Sequence, residues 1–228
     1  MKFNMYCLMM AVLLSFAIVP RAQQIESRSY PCKHKQTGSE FETKVIKEIN
    51  SARINPKIYV ERIETYKKYL RGKIVSVPKQ TPFMTIEGSI SMNEAIKDLG
   101  RVSELQKLTF SKLLSNAAKK QLIDLIENPD LGHTGKDGSP FNKRMKMSGI
   151  KGNAGENITM LDKTPERVVL RMLIDDGVLS RTHRNNILSP KFTRIGVACG
   201  KGKKSYFICV VVFTEKNNET MVKKPRSY

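Results

Sequence analysis

The sequence contains no tryptophan and few cysteines or histidines among its 228 residues. Four cysteines are too few for a disulfide-dense scaffold, so the fold must depend on a hydrophobic core. Glycine-rich phosphate-binding loops are absent, and so is the pair of histidines one helical turn apart, with a glutamate between them, that marks many zinc proteases. Beyond residue 22, no stretch is apolar enough to cross a bilayer.

Acidic residues are also scarce: 21 Asp and Glu stand against 40 Lys and Arg, which gives a net charge of +19. The positive charge is spread over residues 66–73, 142–151, 199–204 and 222–228. Such a surface attracts anionic membranes or anionic cell-wall polysaccharide. No aromatic residues interleave with these lysines to stack on bases, so no specific nucleic-acid partner is expected. The alternative interpretation is a lysine-rich surface that only aids solubility.

The first 22 residues have the pattern of a signal peptide. A basic residue at Lys2 precedes an uncharged apolar run over residues 6–19, and small residues at Ala17 and Ala22 offer cleavage points. The run is shorter than the roughly 20 apolar residues of a comfortable membrane span. The sequence therefore predicts a secreted, extracellular protein, and an N-terminal anchor is the alternative.

The remaining chain is predicted to form one α+β domain over residues 40–214, between an N-terminal extension (23–39) and a basic tail (215–228). Apolar spacing and end signals predict helices first and strands late in the chain, which argues against alternating βαβ units. A sequon in the tail makes Asn218 a candidate glycosylation site. The predicted helices cover about residues 39–55, 56–70, 89–101, 109–128, 139–149 and 164–177; the predicted strands cover 153–160, 192–199 and 205–213, and 71–88 is predicted to be a long loop.

The cysteines predict at most one intramolecular bridge in the secreted chain. Cys7 leaves with the signal peptide. Cys199 and Cys209 lie on the two late strands, so a cross-strand disulfide between them is plausible if the register allows it. Cys32 would then be free or intermolecular.

Several polar residues in the second half of the chain are candidates for chemistry. Imidazoles and carboxylates are groups that a zinc ion accepts, although spacing alone does not show that they converge. The alternative is that they are hydrogen-bonding structural residues. Ser180 lies near a histidine, but the glycine-flanked turn of a hydrolase nucleophile is missing. The candidate zinc ligands are His133, Glu156, Asp175 or Asp176, and His183; Arg144, Arg181 and Arg184 are expected to support the cavity by pairing with Glu156, Asp175 or Asp176.

The ordered set of motifs over residues 42–214 resembles the CAP superfamily of cysteine-rich secretory proteins, antigen 5 and pathogenesis-related 1 proteins. The resemblance rests on "INSARINP" (49–56), His133, "GENI" (155–158), an acid-ended helix, "HRNNIL" (183–188) and "RIGVACG" (194–200). It is greatest to the simpler branch found in bacteria and protists, which lacks cysteine-rich extensions.

The resemblance implies a three-layer α-β-α sandwich with a small antiparallel sheet. It also implies a central cleft lined by His133, Glu156, His183 and an acid, which alignment places at Asp175, with Asp176 as the second choice. Some relatives bind zinc or another divalent ion at such a cleft, and some bind sterols or fatty acids in separate grooves. The chain departs from the family pattern in having no tryptophan and in having "THRNN" (182–186) where many relatives have a different run.

No single reaction unites this family, so the first expectation is a secreted, non-enzymatic module that binds a ligand, with a cleft able to take a divalent metal. One alternative is a hydrolase of peptide or ester bonds that uses Glu156 or a metal-bound water. The other is a cationic binder of anionic membranes or cell-wall polymers.

Overall fold

A computed structural model describes residues 38–202 and 207–215. The predicted signal peptide, Cys32 and the sequon at Asn218 lie outside these residues. Within them, no helix has both the length and the apolar character that crossing a membrane requires.

The described residues form a mixed α and β domain, as predicted. The helices are α1 (Gly38–Ile54), α2 (Pro56–Lys68), α3 (Ser89–Arg101), α4 (Lys112–Glu127), α5 (Phe141–Met147), α6 (Pro165–Ile174) and α7 (Thr182–Ile187), with a 3-10 turn at Pro129–Leu131. The strands are β1 (Leu70–Arg71), β2 (Ile74–Val75), β3 (Phe83–Met84), β4 (Thr109–Phe110), β5 (Ala154–Met160), β6 (Arg194–Lys201) and β7 (Phe207–Thr214).

The main sheet has the strand order β4-β6-β7-β5. The three long strands pair antiparallel, with β7 in contact with both β5 and β6 along its length. The two-residue strand β4 pairs parallel with β6 at the edge of this otherwise antiparallel sheet. Because β7 is central and covered by helices on both faces, its sequence is a continuous apolar run rather than an alternating one.

Alternate residues of β7 face two separate cores. Val211 and Phe213 join the larger core, which α1, α2, α3 and α6 cover. Val210 and Val212 join a smaller core beneath α4. The period-two alternation of a strand thus divides the helices into two layers, and the fold is an α-β-α sandwich.

Close packing of α4 on the sheet depends on a glycine in β6. A Cβ placed on Gly196 would overlap the backbone of Leu114 and Ser115 at the start of α4. The side chain of Ser111 begins this helix by accepting a hydrogen bond from the Leu114 N–H (3.2 Å). Thr164 begins α6 in the same manner, with Pro165 in the first turn, as its sequence predicts.

The predicted long loop over residues 71–88 is wrong in part, because it contains a second, three-stranded sheet of order β1-β2-β3. Leu70 pairs with Val75, and Ile74 pairs with Met84. Each strand has two residues, which is too short for a period-two pattern to appear in the sequence.

The predicted disulfide between Cys199 and Cys209 is confirmed. The two cysteines are directly opposite in the pairing of β6 with β7, and their Cα atoms are 4.2 Å apart.

Candidate functional site

One half of the candidate site joins a loop histidine to a strand carboxylate. His133 lies just after the 3-10 turn, and Glu156 lies on β5 with its side chain buried. Nδ1 of His133 is 2.9 Å from Oε1 of Glu156. The His133 imidazole is half exposed and lies at the entrance of the cleft, whereas the Glu156 carboxylate is buried inside it.

The other half joins a helix end to a short helix. Asp175 follows α6 in a left-handed conformation (φ 56°), which turns its buried carboxylate toward α7. Oδ1 of Asp175 is 2.7 Å from Nδ1 of His183. Oδ2 accepts from the N–H groups of His183 (2.8 Å) and Arg184 (3.1 Å), so this aspartate also caps α7.

The two halves meet. The ring centroids of His133 and His183 are 6.5 Å apart with an angle of 40° between the ring planes. Since an ionised carboxylate only accepts hydrogen bonds, each Nδ1 carries the proton and each Nε2 keeps its lone pair when the ring is neutral. Across the described ranges, neither Nε2 has a hydrogen-bond partner.

The carboxylate of Asp176 has different partners. Its carboxylate accepts hydrogen bonds from the N–H of Glu87 (2.9 Å) and the hydroxyl of Ser91 (3.0 Å), at the start of α3. The acid beside His183 is therefore Asp175, and Asp176 ties the segment after α6 to the residues just before α3 and to Ser91.

Arg144 on α5 is part of the cluster. Its Nη2 donates to Oε1 of Glu156 (2.7 Å) and to the carbonyl of His133 (3.0 Å). Oε2 of Glu156 is buried and has no hydrogen-bond partner in the described residues. The carboxylate is thus held by one oxygen, on which an imidazole and a guanidinium converge.

The other two arginines do not pair with the acids expected from the sequence. Arg181 makes a bidentate pair with Glu87 (2.6 Å for both bonds) and a further ion pair with Glu94 (2.7 Å). Its contact with Asp175 is to the backbone carbonyl, at 2.8 Å. Arg184 is buried and lies 3.2 Å from Asp98. Both guanidiniums connect the segment around His183 to α3, and this contact stabilises one wall of the cleft.

Gln121 is a residue of the site that the sequence motifs do not indicate, because it lies within the apolar stripe of α4. It is fully buried, and its Nε2 donates to the carbonyls of Gly132 (2.6 Å) and Thr134 (3.1 Å). With Arg144 bound to the intervening carbonyl, three consecutive carbonyls around His133 are held. A buried amide within an otherwise apolar helical stripe is the signal that would have identified it.

Asn157 serves the other histidine in the same manner. Its Nδ2 donates to the carbonyl of His183 (2.9 Å), and its Oδ1 accepts from Asn186 (2.8 Å). Asn186 packs so closely on β5 that a Cβ on Gly155 would lie 2.7 Å from its Oδ1. The motif "GENI" therefore supplies the close approach, the carboxylate and the amide in three consecutive residues.

The donor set of the cleft is limited. Within the described residues, no group of three or more His, Cys, Asp or Glu side chains is placed to hold a metal ion directly. The two carboxylates lie behind the imidazoles, in the position from which carboxylates orient the histidine ligands of metal sites. The groups presented to a ligand are the two Nε2 atoms.

A groove of about 200 Å³ adjoins His183, and it is lined by this histidine, Asp175, Asp176 and the apolar side chains of Ile158, Met160, Met172 and Val178 among others. A larger cavity, about 920 Å³, lies between α1, residues 79–83 and the start of α6, and neither histidine lines it. The second cavity is larger than the groove beside the histidines. We nevertheless place the candidate site at the histidines, because the paired imidazoles and carboxylates are the groups that can bind a metal or a polar ligand.

These features define a class of protein: an α-β-α sandwich whose cleft holds two histidines, each backed by a buried carboxylate. The chain belongs to the cysteine-rich secretory protein (CAP) family, whose model matches residues 46–213. It is also similar to the uncharacterized protein YkwD of Bacillus subtilis (strain 168), with 40% identity over 95 residues. That match covers 41% of this chain and 35% of YkwD, so it spans about a third of that relative's length.

Two solved structures are similar to the chain in fold. An outer surface protein of Borrelia burgdorferi is 24% identical, with a TM-score of 0.42 over 54% of this chain and 86% of that one. An extracellular protein of Bacillus anthracis that contains an SCP domain is 20% identical, with a TM-score of 0.40 over 55% of this chain and 37% of that one.

Proposed function

We propose that this protein is a secreted CAP domain that binds a ligand in the cleft between His133 and His183 and does not catalyse a reaction. The observation that carries the proposal is the pair of facing imidazoles, 6.5 Å apart, each fixed through Nδ1 by a buried carboxylate. The adjoining groove offers the apolar side chains of Met160 and Met172, so the ligand combines a group that binds imidazole nitrogen with an apolar portion.

A divalent metal, zinc first, fits the residues of the cleft as an open site. Nε2 of His133 and of His183 would hold the ion, and Glu156 and Asp175 would orient the two rings through Nδ1. When bound, the ion supplies a Lewis-acid contact for an oxygen or nitrogen of the ligand. With two protein donors instead of the three or four usual for zinc, binding is expected to be weak without the ligand.

Calorimetric titration of zinc into the wild type and into His133→Ala and His183→Ala tests the metal part. We expect the heat of binding to disappear in both variants. His34→Ala is the matched control, because it removes a histidine that is not among the residues proposed to hold the ion, and it should bind as the wild type does. Equal heats in all four proteins would reject a metal at this site.

Catalysis by Glu156 is disfavoured by its contacts. Oε1 already accepts from Arg144 and lies against Nδ1 of His133, and the unpartnered Oε2 is buried, whereas a general base needs an oxygen that reaches the proton it removes. Hydrolysis of peptide or ester substrates by the wild type, lost in a folded Glu156→Gln variant, would overturn the non-enzymatic proposal.

A second candidate function, the binding of a fatty acid or sterol, is favoured by the cavity of about 920 Å³. Its volume is within the range of small-molecule sites, and Tyr66, Phe83 and Leu161 contribute apolar surface to a lining that also carries charged side chains such as Lys163. Displacement of a fluorescent fatty acid measures this binding. Leu161→Gln should weaken it while zinc titration stays unchanged; equal affinity in this variant would count against the cavity.

A further inference from the structure

The three-stranded sheet β1-β2-β3 has large apolar side chains on both faces. Residues directly paired across strands share a face, so Leu70, Val75 and Phe83 point one way and pack on the core. The opposite face carries Arg71, Ile74 and Met84. Ile74 is 51% exposed and Met84 is 72% exposed, whereas the outer face of a small antiparallel sheet is ordinarily polar.

The exposed apolar surface continues beyond the sheet. After Met84 the chain alternates, so that Thr85 is buried and Ile86 is 66% exposed. Ile86 packs on the segment after α6, since a Cβ on Gly177 would lie 2.5 Å from its Cδ1. Two residues further on, Leu179 is 86% exposed. We call Ile74, Met84, Ile86 and Leu179 the apolar ridge.

Positive charge without acidic partners lies beside the apolar ridge. Lys67, Lys68, Arg71 and Lys73 are exposed, and none of them forms an ion pair within residues 38–202 and 207–215. Glu64, one helical turn before Lys68, offsets part of this charge.

The acids near the apolar ridge are engaged internally. Arg181 binds both Glu87 and Glu94, and Asp176 accepts hydrogen bonds from the start of α3. The surface around the apolar ridge is therefore positive on balance.

We propose that the apolar ridge and the adjacent cations dock this protein on an anionic lipid bilayer. The apolar side chains would enter the headgroup region, and Arg71 and Lys73 would contact lipid phosphates. The charge selects this occupant over a second copy of the chain, because two molecules of net charge +19 repel each other while an anionic membrane attracts both. Leu179 lies between Asp175 and His183, so docking would bring the cleft close to the membrane surface.

Vesicle binding tests the apolar part. The full chain and its variants are sedimented with vesicles of phosphatidylcholine, alone or mixed with phosphatidylserine, in the presence of EDTA so that zinc has no influence. We expect the Met84→Ser/Leu179→Ser variant to bind phosphatidylserine vesicles about tenfold more weakly than the wild type, given the cost of leaving large apolar groups out of the membrane. Ile123→Ser, at a 50% exposed position on α4, is the control and should bind as the wild type does.

The electrostatic part has its own matched pair. Arg71→Gln/Lys73→Gln should weaken binding to phosphatidylserine vesicles, and added salt should weaken it further. Lys119→Gln/Lys120→Gln removes the same charge from exposed positions on α4 and should have a smaller effect. All variants share the rest of the chain, so the differences report the substituted surface.

The proposal is overturned if the wild type does not bind the vesicles, or if the ridge variant and Ile123→Ser bind equally. It is also overturned if sedimentation finds a dimer that the ridge variant abolishes while vesicle binding is absent, because the occupant would then be a second copy. None of these outcomes bears on zinc binding at the histidines, which the titration above measures separately.

Discussion

Asp175 and Asp176 are consecutive, yet their carboxylates serve different helices. The left-handed conformation of Asp175 ends α6 and directs its side chain to His183 and α7. The carboxylate of Asp176 instead accepts hydrogen bonds from Glu87 and Ser91, near the start of α3. The left-handed turn at Asp175 therefore places this aspartate in the candidate site, whereas Asp176 has a structural role.

This division predicts opposite outcomes for a matched pair of substitutions. Asp175→Asn places an amide against Nδ1 of His183 and should reduce zinc affinity about 10- to 100-fold, as loss of the carboxylate behind a ligating histidine does. Asp176→Asn should leave zinc affinity unchanged and cost about 1.5–3 kcal/mol of stability, because it weakens the charged hydrogen bonds to Glu87 and Ser91. Zinc titration and urea unfolding of both variants measure the two effects; equal losses of affinity would contradict the separate roles.

Gln121 offers a second prediction at this scale. Gln121→Met keeps the length of the side chain but removes the donor to the carbonyls on either side of His133. Leaving these groups without a partner should cost about 2 kcal/mol of unfolding free energy. Amide exchange of residues 132–134 should accelerate as the loop opens locally. Gln106→Met makes the same change at an exposed position, and if it destabilised the protein as much, the clamp on the histidine loop would be disproved.

At the scale of elements, Arg181 holds the segment between α6 and α7 against α3. Its guanidinium binds Glu87 and Glu94, and it also donates to the carbonyls of Asp175 and Val178. The backbone of Arg181 is itself left-handed (φ 49°), so the contacts of this one side chain offset an unfavourable conformation. The ion pairs of Arg181 therefore hold the segment that carries His183 against α3.

The pH dependence of stability follows from this pair. Hydrogen bonds from Arg181 lower the pKa of Glu87 from 4.5 to about 2. Because the folded-state pKa is lower than that of the unfolded chain, the ionised carboxylate stabilises the fold above pH 4.5, and this contribution is lost as pH falls toward 2. Glu87→Gln should cost about 1.5–3 kcal/mol at neutral pH, where a charged hydrogen-bond partner is removed. Thermal unfolding from acid to neutral pH should be less pH-dependent in Glu87→Gln; a curve parallel to the wild type would contradict the assignment.

The elements also show what the sequence could predict. Helices α4 and α6 have local signals, since Ser111 and Thr164 cap them and apolar residues repeat at helical spacing. Strands β1 to β4 have two residues each, which is too short for a period-two pattern, and β4 depends in addition on a partner distant in the chain, since Thr109 pairs with Arg194. A local pattern cannot indicate an element that only a long-range pairing creates.

The candidate site divides in the same manner. The ordered motifs predicted His133, Glu156 and His183 as site residues, and the structure brings these three side chains together. The partners of Arg181 and the role of Gln121 could not be predicted from the sequence. The two residues of each contact belong to different elements, and no helical or strand periodicity relates their positions. The sequence did not indicate that α3 and α4 contact the segments that carry the two histidines.

At the scale of the whole molecule, a single buried arginine connects α1 to the second half of the chain. Arg53 lies within the "INSARINP" motif and is 1% exposed. Its guanidinium donates to the carbonyls of Gln106 (2.9 Å), Ile187 (2.6 Å), Ser189 (2.8 Å) and Phe192 (3.3 Å). These carbonyls belong to the segments before β4, at the end of α7 and before β6, so one side chain joins the layers on which the cleft depends.

Replacement of Arg53 should therefore affect the molecule as a unit. Arg53→Met fills much of the same volume but leaves four carbonyls unpaired, and we expect a loss of about 3 kcal/mol or more of unfolding free energy. Arg53→Lys should be intermediate, because an ammonium group keeps the charge but cannot spread its donors over so many carbonyls. Arg101→Met, at an exposed position at the end of α3, should change stability by less than about 0.5 kcal/mol. Urea unfolding of the four proteins would rank them, and the idea that the layers are joined through this side chain is lost if Arg53→Met unfolds at the same urea concentration as Arg101→Met.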